Sequence, residues 1–300
     1  MGGFFYGLVI QKELKLKNMT VLGWEENKRI GIYGNKGPIA IVLHGGPAGS
    51  GGSAPIAIGL SHNFRVFEPW QRLSSDMPLT VAVHISDIYQ LIKSRCSDEK
   101  PFLVGESWGA MLALAYAAEY PETVGPIVLV GCGTFDKKSR KEGMRIRQRR
   151  IQDYIKDHPE HSSDLKLSLS EQIMKWHEMT DSYDLGTIKA EYPLKEPFDM
   201  KAHTETWNDM LRCQDEGKYP QVFTSIKSPV IMLHGAYDPH PGKLIRNNLK
   251  QYIPHLEYYE FEKCGHAPAV EKYAKDDFFK VMHNWLINKL RETKLYNKAN

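Results

Sequence analysis

The segment Gly105-Glu106-Ser107-Trp108-Gly109 has the residue types and spacing of an activated serine. A serine hydroxyl attacks a carbonyl carbon efficiently when a sharp strand-to-helix turn lifts it clear of the backbone, and such a turn needs small neighbours. Apolar runs before and after the segment predict a buried strand and a helix, and the helix N-terminus favours negative charge. We therefore expect Ser107 to be a nucleophile. A chance pentapeptide in a loop is the alternative.

A nucleophilic serine needs a base, and the base needs an acid that orients it. In this architecture the expected chain order is serine, then a carboxylate, then histidine. Asp238 and His266 fit that order, and each follows an apolar run that predicts a strand. The alternatives are a turn aspartate before Pro239 and an unremarkable member of the twelve histidines.

The negative oxygen that forms during attack requires at least two backbone N–H donors. The amide of Trp108, the residue after the nucleophile, is one expected donor. The second is expected from Gly46 in the glycine-rich segment His44-Gly45-Gly46-Pro47, unless that segment is a plain turn. We expect His44 to be a buried structural group rather than a competing base.

Short apolar runs predict the strands that position these residues. They are Ile39–Leu43, Phe64–Phe67, Phe102–Val104, Ile127–Val130, Val230–Leu233 and Leu256–Phe261, preceded by a hairpin over Val9–Leu16 and Thr20–Tyr33. Runs with helical spacing alternate with them, at Thr80–Ser94, Ala110–Tyr120, Lys243–Ile253 and Ala269–Leu290. This alternation predicts an α/β fold with a mostly parallel sheet flanked by helices.

Residues 135–227 interrupt the alternation, because they are polar, charged and helical in period. We expect them to form a helical cap inserted into a core domain that comprises residues 1–134 and 228–300. In the predicted helix Phe198–Glu216, Glu205 and Asp209 share one face and would clasp a substrate ammonium group. A solvated face that balances nearby basic residues is the favoured alternative, and Trp207 is expected to pack the cap on the core rather than to contact substrate.

Four segments together resemble the α/β-hydrolase superfamily, and within it the proline iminopeptidase-like group. They are His44–Pro47, Gly105–Gly109, His234–Asp238 with Pro241, and Gly265–His266, and the resemblance extends over about residues 38–290. It implies Ser107 as nucleophile, Asp238 and His266 as its partners, and Gly46 with Trp108 as oxyanion donors. The sequence departs from the group at Ala48, Leu73 and Glu106, where glycines are usual.

Composition excludes several other classes of protein. The net charge of +3 is too small to indicate a nucleic-acid partner, and no apolar run approaches the ~20 residues of a membrane span. Four widely separated cysteines indicate reduced thiols rather than disulfides or a zinc site, and no signal sequence is evident, so we expect a cytoplasmic protein. The basic segment Lys137–Arg150 is interpreted as a solvated helix.

We therefore predict a serine hydrolase that cleaves an ester or amide bond of a small molecule or short peptide, with no cofactor, no metal, no nucleic-acid partner and no membrane partner. An N-terminal aminopeptidase of the proline iminopeptidase type is one alternative. A ligand-binding protein that retains the scaffold without catalysis is the other. The oligomeric state and the substrate stay open at this point.

Overall fold

The computed structural model describes residues 14–16, 19–25, 29–97, 99–184 and 196–299. The strands are β1 Leu14–Leu16, β2 Met19–Glu25, β3 Ile30–Tyr33, β4 Ile39–Leu43, β5 Arg65–Pro69, β6 Phe102–Glu106, β7 Ile127–Val130, β8 Val230–Gly235 and β9 Glu257–Phe261. The α-helices are α1 Ala54–Leu60, α2 Val81–Arg95, α3 Trp108–Glu119, α4 Lys137–Asp157, α5 Leu169–Asp181, α6 Met200–Asp215, α7 Gly242–Leu249 and α8 Lys275–Ala299.

Within these described ranges the strands form one nine-stranded sheet in the order β1-β2-β3-β5-β4-β6-β7-β8-β9. The six strands from β5 to β9 in that order pair in parallel, and β1, β2 and β3 add an antiparallel edge. The predicted fold class is therefore confirmed. The predicted hairpin is wrong in one respect, since Thr20–Tyr33 contains two strands; residues 9–13 lie outside the described residues.

Strand β4 shows why helices cover both faces of the sheet. Ile39, Ile41 and Leu43 pack into an apolar cluster with α2 and α3, whereas Ala40 and Val42 pack into a second cluster with α1 and α8. All five side chains are buried, because alternate residues of a strand point to opposite faces. A wholly apolar run is the pattern expected of a central parallel strand.

The structure corrects two predicted helix boundaries near the C-terminal ends of the strands. Helix α3 begins at Trp108, two residues earlier than predicted, and Ser107 is its N-cap residue. Helix α8 begins at Lys275 rather than at Ala269. The residues before it form turns around Glu271, whose buried carboxylate accepts hydrogen bonds from the backbone N–H of Gly265 at 2.9 and 2.8 Å.

The segment between β7 and β8 carries α4, α5 and α6 together with 3-10 helices at Pro159–Lys166 and Gln221–Ser225. Its described residues contain no strand, and α4 packs on α5. The division of the chain into a core and a cap over residues 135–227 stays a prediction. Across the described part of the chain, no helix has both the length and the apolar character required to span a membrane.

Candidate active site

Ser107 occupies a strained turn between β6 and α3. Its backbone has φ +54° and ψ −114°, a conformation that costs free energy for a residue with a side chain. The flanking glycines are sterically required: a Cβ on Gly105 would lie 2.2 Å from the Gly109 carbonyl oxygen, and one on Gly109 would lie 2.0 Å from the Leu43 carbonyl oxygen. The packing therefore leaves no room for a side chain at Gly105 or Gly109.

His266 and Asp238 form a close hydrogen-bonded pair, with Nδ1 of His266 2.8 Å from Oδ2 of Asp238. The Asp238 side chain has no exposed surface, whereas the His266 side chain is 21% exposed. Because a carboxylate only accepts, Nδ1 carries the proton and Nε2 is left as the basic nitrogen. This is the tautomer that a base for a serine hydroxyl requires.

The two groups shift each other's pKa. Burial by itself lowers the pKa of His266, but the Asp238 carboxylate more than offsets this effect, so the pKa lies above its ordinary value. Burial raises the pKa of Asp238, but the histidines at 266, 234 and 240 together bring it well below its usual range. Asp238 is therefore ionised and favours the imidazolium form of His266.

Ser107, Asp238 and His266 lie at the same edge of the sheet, because they follow β6, β8 and β9, and β6 to β9 are consecutive parallel strands. The backbone N–H of Ser107 donates to the carbonyl of Val130, the last residue of β7, at 2.8 Å. The next residue, Gly131, lies against His266, since a Cβ there would be 3.1 Å from Nδ1 of the imidazole. The end of β7 thus connects the serine to the histidine.

The glycine-rich loop after β4 lies beside Ser107. A Cβ on Gly45 would be 3.1 Å from Cβ of Ser107, so the backbone of this loop approaches the serine closely. Gly46 has φ +118°, and a Cβ there would lie 2.5 Å from the backbone nitrogen of Gly49. Gly46 and Trp108 therefore lie on the two segments next to Ser107, and their role as oxyanion donors stays a prediction.

His44 is a fully buried structural group at the start of this loop. Its Nε2 accepts a hydrogen bond from the backbone N–H of Gln71 at 3.0 Å, and its Nδ1 lies 2.9 Å from the carbonyl oxygen of Gly45. Burial lowers the pKa of His44 to about 4, so the ring is neutral. The expectation that His44 does not compete as a base agrees with this geometry.

Sequence reasoning missed the role of Gln71. Its side-chain amide donates to the carbonyl of His44 at 3.1 Å, and its Oε1 accepts from the indole N–H of Trp108 at 3.1 Å. One side chain therefore joins the glycine-rich loop to the residue after Ser107. The sequence around Gln71 does not identify the partners of this side chain.

The carboxylates of Glu205 and Asp209 are occupied by backbone N–H groups. Glu205 Oε2 accepts from Leu79 at 3.0 Å, and Asp209 Oδ2 accepts from Val81, the first residue of α2, at 2.8 Å. Glu205 also pairs with Lys201 at 3.8 Å, and Asp209 pairs with Arg212 at 2.7 Å. Such ion pairs are expected if the two carboxylates balance nearby basic residues. This arrangement favours a structural role over the binding of an ammonium group.

Trp207 packs edge-on against the indole of Trp108, with ring centroids 6.5 Å apart. Trp108 is buried, and Trp207 is only partly buried. Trp207 therefore covers the residue that follows Ser107, as the expected packing of the predicted cap on the core requires.

The basic side chains of α4 are largely engaged within the protein. Arg145, Arg147 and Arg149 pair with carboxylates, and Lys137 lies 3.2 Å from Asp215. Arg150 donates to the backbone carbonyls of Thr180 and Tyr237. The side chains of Lys137, Arg145 and Arg149 are more than half exposed, which agrees with the interpretation of Lys137–Arg150 as a solvated helix.

Among the described residues, one group has possible metal-ligand atoms within 4.8 Å of one another, close enough to share a metal ion. It consists of Asp238, His240 and His266. The Asp238 carboxylate is already bonded to His266, and Nη2 of Arg147 lies 3.3 Å from Nε2 of His240. A guanidinium at that distance opposes a second cation, so the donor set fits a hydrogen-bonded pair better than a metal centre.

The four cysteines are all free and buried. Burial raises the pKa of the Cys132 and Cys264 thiols, so neither favours the thiolate form that nucleophilic chemistry needs.

A family model described as the alpha/beta hydrolase fold matches residues 38–273, and the chain belongs to this family of enzymes. A proline iminopeptidase of Clostridium botulinum is 25% identical over 277 residues, covering 84% of this chain and 90% of the relative. A 2-hydroxy-6-oxononadienedioate/2-hydroxy-6-oxononatrienedioate hydrolase of Paraburkholderia phymatum is 27% identical over 177 residues, covering 56% of each chain. The solved proline iminopeptidase of Mycobacterium smegmatis superposes with a TM-score of 0.61 at 14% identity, over 93% of this chain and 98% of that one.

Proposed function

We propose that the protein is a serine hydrolase that cleaves an ester or amide bond of a small substrate through Ser107, His266 and Asp238. The observation that carries this proposal is the 2.8 Å contact between His266 and Asp238, at the same sheet edge as the strained turn that holds Ser107. The pair supplies an oriented base, and the turn, which requires glycine at positions 105 and 109, holds the nucleophile.

In this proposal Nε2 of His266 removes the proton from Oγ of Ser107 as that oxygen attacks the substrate carbonyl. The resulting oxyanion accepts hydrogen bonds from the backbone N–H groups of Gly46 and Trp108. The imidazolium, stabilised by Asp238, protonates the leaving alcohol or amine as its bond to the carbonyl carbon breaks. The acyl group then remains on Ser107. A water molecule, deprotonated by His266, then releases the acid and restores the serine hydroxyl.

An N-terminal aminopeptidase is the second candidate, because relatives that cover most of this chain are named proline iminopeptidases. Such an activity requires a group that recognises the free amino terminus of the substrate. Glu205 and Asp209, the predicted candidates, bind backbone N–H groups instead. We therefore rank hydrolysis of small esters or amides without a required amino terminus above aminopeptidase activity.

The test compares wild type with Ser107→Ala on short p-nitrophenyl esters and on an N-terminal proline arylamide. Ester turnover that disappears in Ser107→Ala, without arylamide cleavage, supports the first candidate. Cleavage of the arylamide supports the aminopeptidase instead. If neither substrate is turned over, or if turnover survives in Ser107→Ala, the assignment of the triad or of the substrate class is wrong.

A further inference from the structure

Helices α4 and α5 contribute an ion pair that lies beside the segments carrying His266 and Asp238. Arg147 donates from Nε to Oδ1 of Asp181 at 2.9 Å and from Nη2 to Oδ2 at 2.8 Å. The exposed fractions of the two side chains are 12% and 17%, so the pair is largely shielded from solvent. A bidentate pair of this kind holds both groups in a defined geometry.

Asp181 also anchors the backbone of His266. The N–H of His266 donates to the carbonyl of Asp181 at 2.7 Å. Gly265 makes this approach possible, because a Cβ there would lie 2.2 Å from that carbonyl oxygen. The buried carboxylate of Glu271 reinforces the junction by accepting from the N–H groups of Gly265 and Tyr183. The segment Gly265–His266 is therefore hydrogen-bonded directly to the last residue of α5.

Arg147 contacts the loop of the acid as well. Its Nη2 lies 3.3 Å from Nε2 of His240, and an arginine only donates, so Nε2 is the acceptor and His240 is neutral. Burial lowers the pKa of His240 to about 3, which agrees with a neutral ring. The backbone N–H of His240 in turn donates to Oδ1 of Asp238 at 2.8 Å.

We propose that Arg147 and Asp181 are positioning residues that fix His266 relative to Asp238 and balance the charge around the imidazole. This inference rests on the proposed function, since it assigns His266 the role of base. Asp181 favours the imidazolium form and Arg147 opposes it, so the two side chains act in opposite directions on the same ring.

The ionisable groups that interact electrostatically with His266 come from several elements. They are Asp238 and His240 after β8, Arg147 on α4, Asp181 at the end of α5 and Glu106 at the end of β6. Burial raises the pKa of Glu106, and Ser53 donates a hydrogen bond to its carboxylate at 2.5 Å. Asp181→Asn and Arg147→Gln alter the ion pair without changing a residue of the proposed triad.

The test is a titration of the His266 imidazole by NMR, in protein labelled with carbon-13 on histidine and assigned by comparison with His266→Asn. Asp181→Asn keeps the backbone carbonyl, and we expect it to lower the midpoint by about one pH unit. Arg147→Gln leaves Asp181 without its partner, and we expect a rise of about the same size. Arg147→Lys retains the charge and should leave the midpoint close to that of wild type.

Arg149→Gln is the matched control, because Arg149 lies on the same helix in an exposed pair 3.7 Å from Asp153. The proposal is overturned if Asp181→Asn and Arg147→Gln shift the midpoint in the same direction, or by no more than Arg149→Gln. The titration does not require turnover, so its result is independent of whether Ser107 hydrolyses any substrate. Where turnover is measurable, the midpoint of kcat/KM should move with the NMR midpoint.

Discussion

Gly45 lies directly against Ser107: a Cβ built on Gly45 would be 3.1 Å from Cβ and 3.7 Å from Oγ of the serine. Unlike Gly46, whose φ is +118°, Gly45 does not have a left-handed backbone. A side chain at Gly45 is therefore opposed by its neighbours and not by its backbone conformation. Gly45 is therefore required because of the space beside Ser107, whereas Gly46 is required also because of its backbone conformation.

Gly45→Ala should lower kcat/KM by about 10²-fold or more, because the methyl group displaces either Ser107 or the loop that carries Gly46. Gly125→Ala is the matched control, since its Cβ would also have a closest contact of 3.1 Å, but to the carbonyl oxygen of Lys100. Thermal unfolding should change similarly in both variants. Equal activity in the two variants would contradict the proposed position of the loop.

Asp238→Asn should lower kcat by about 10⁴-fold, because the amide no longer holds the tautomer of His266 or stabilises its cation. In wild type, kcat/KM should rise with pH around a midpoint above 6.5, since Asp238 raises the pKa of His266 from that ordinary value. The residual activity of the variant should have a lower midpoint, because burial then dominates. Asp87→Asn, at an exposed ion pair with Arg72, is the control. Unchanged profiles in Asp238→Asn would exclude the proposed pairing.

Glu68→Gln should stabilise the protein at alkaline pH. Glu68 is fully buried, and burial raises the pKa of its carboxyl from 4.5 to about 7. The folded state therefore binds this proton more tightly than the unfolded state, so the wild-type free energy of unfolding falls as the pH rises through this interval. The variant should be more stable by on the order of 3 kcal/mol above about pH 8, and by little near pH 4.5.

Denaturant unfolding at the two pH values measures this difference, with the exposed Glu122→Gln as control. The hydroxyl of Tyr33 donates to Oε2 of Glu68 at 2.7 Å, a contact that glutamine retains through its carbonyl oxygen. A variant less stable than wild type at alkaline pH would show that the ionised carboxylate stabilises the fold.

Glu205→Gln and Asp209→Asn should each reduce the free energy of unfolding by about 1 kcal/mol, because a neutral amide oxygen accepts more weakly than a carboxylate from the N–H groups of Leu79 and Val81 and no longer pairs with Lys201 or Arg212. Ester hydrolysis should stay at its wild-type level, and any arylamide hydrolysis that the wild type shows should be unchanged. Chemical denaturation and the two substrate assays measure both quantities. A selective loss of arylamide cleavage would instead assign these carboxylates to the recognition of an amino group.

The sequence predicted most reliably the features that depend on short-range pattern. Ile39–Leu43 and Ile127–Val130 match β4 and β7 to the residue, because buried parallel strands are uninterrupted apolar runs. Ser107 and the expected triad partners follow strand ends, so the topology of a parallel sheet suffices to place them on one edge. The predicted start of α8 was wrong because the type of residue at Glu271 is common in helices. In the structure, its carboxylate instead accepts a hydrogen bond from the backbone N–H of Gly265, next to His266.

The sequence patterns did not predict the polar contacts between residues far apart in the chain. Arg147 and Asp181 are 34 residues apart and lie on helices whose packing no periodicity specifies, so Arg147 reads as one charge on a basic helix. Gln71 likewise meets His44 and Trp108 only after the strands pair. The partners of such side chains are identified only from the structure, because many residues of suitable charge or polarity occur along the chain.

Titration with a serine-directed phosphonate, read by intact-protein and peptide mass spectrometry, tests the central claim most directly. We predict one phosphonyl group per chain, located on Ser107 and absent in Ser107→Ala. Ester turnover in that variant should fall by at least about 10³-fold. Absence of labelling, labelling at another residue, or wild-type turnover in Ser107→Ala would contradict the assignment of Ser107 as the nucleophile.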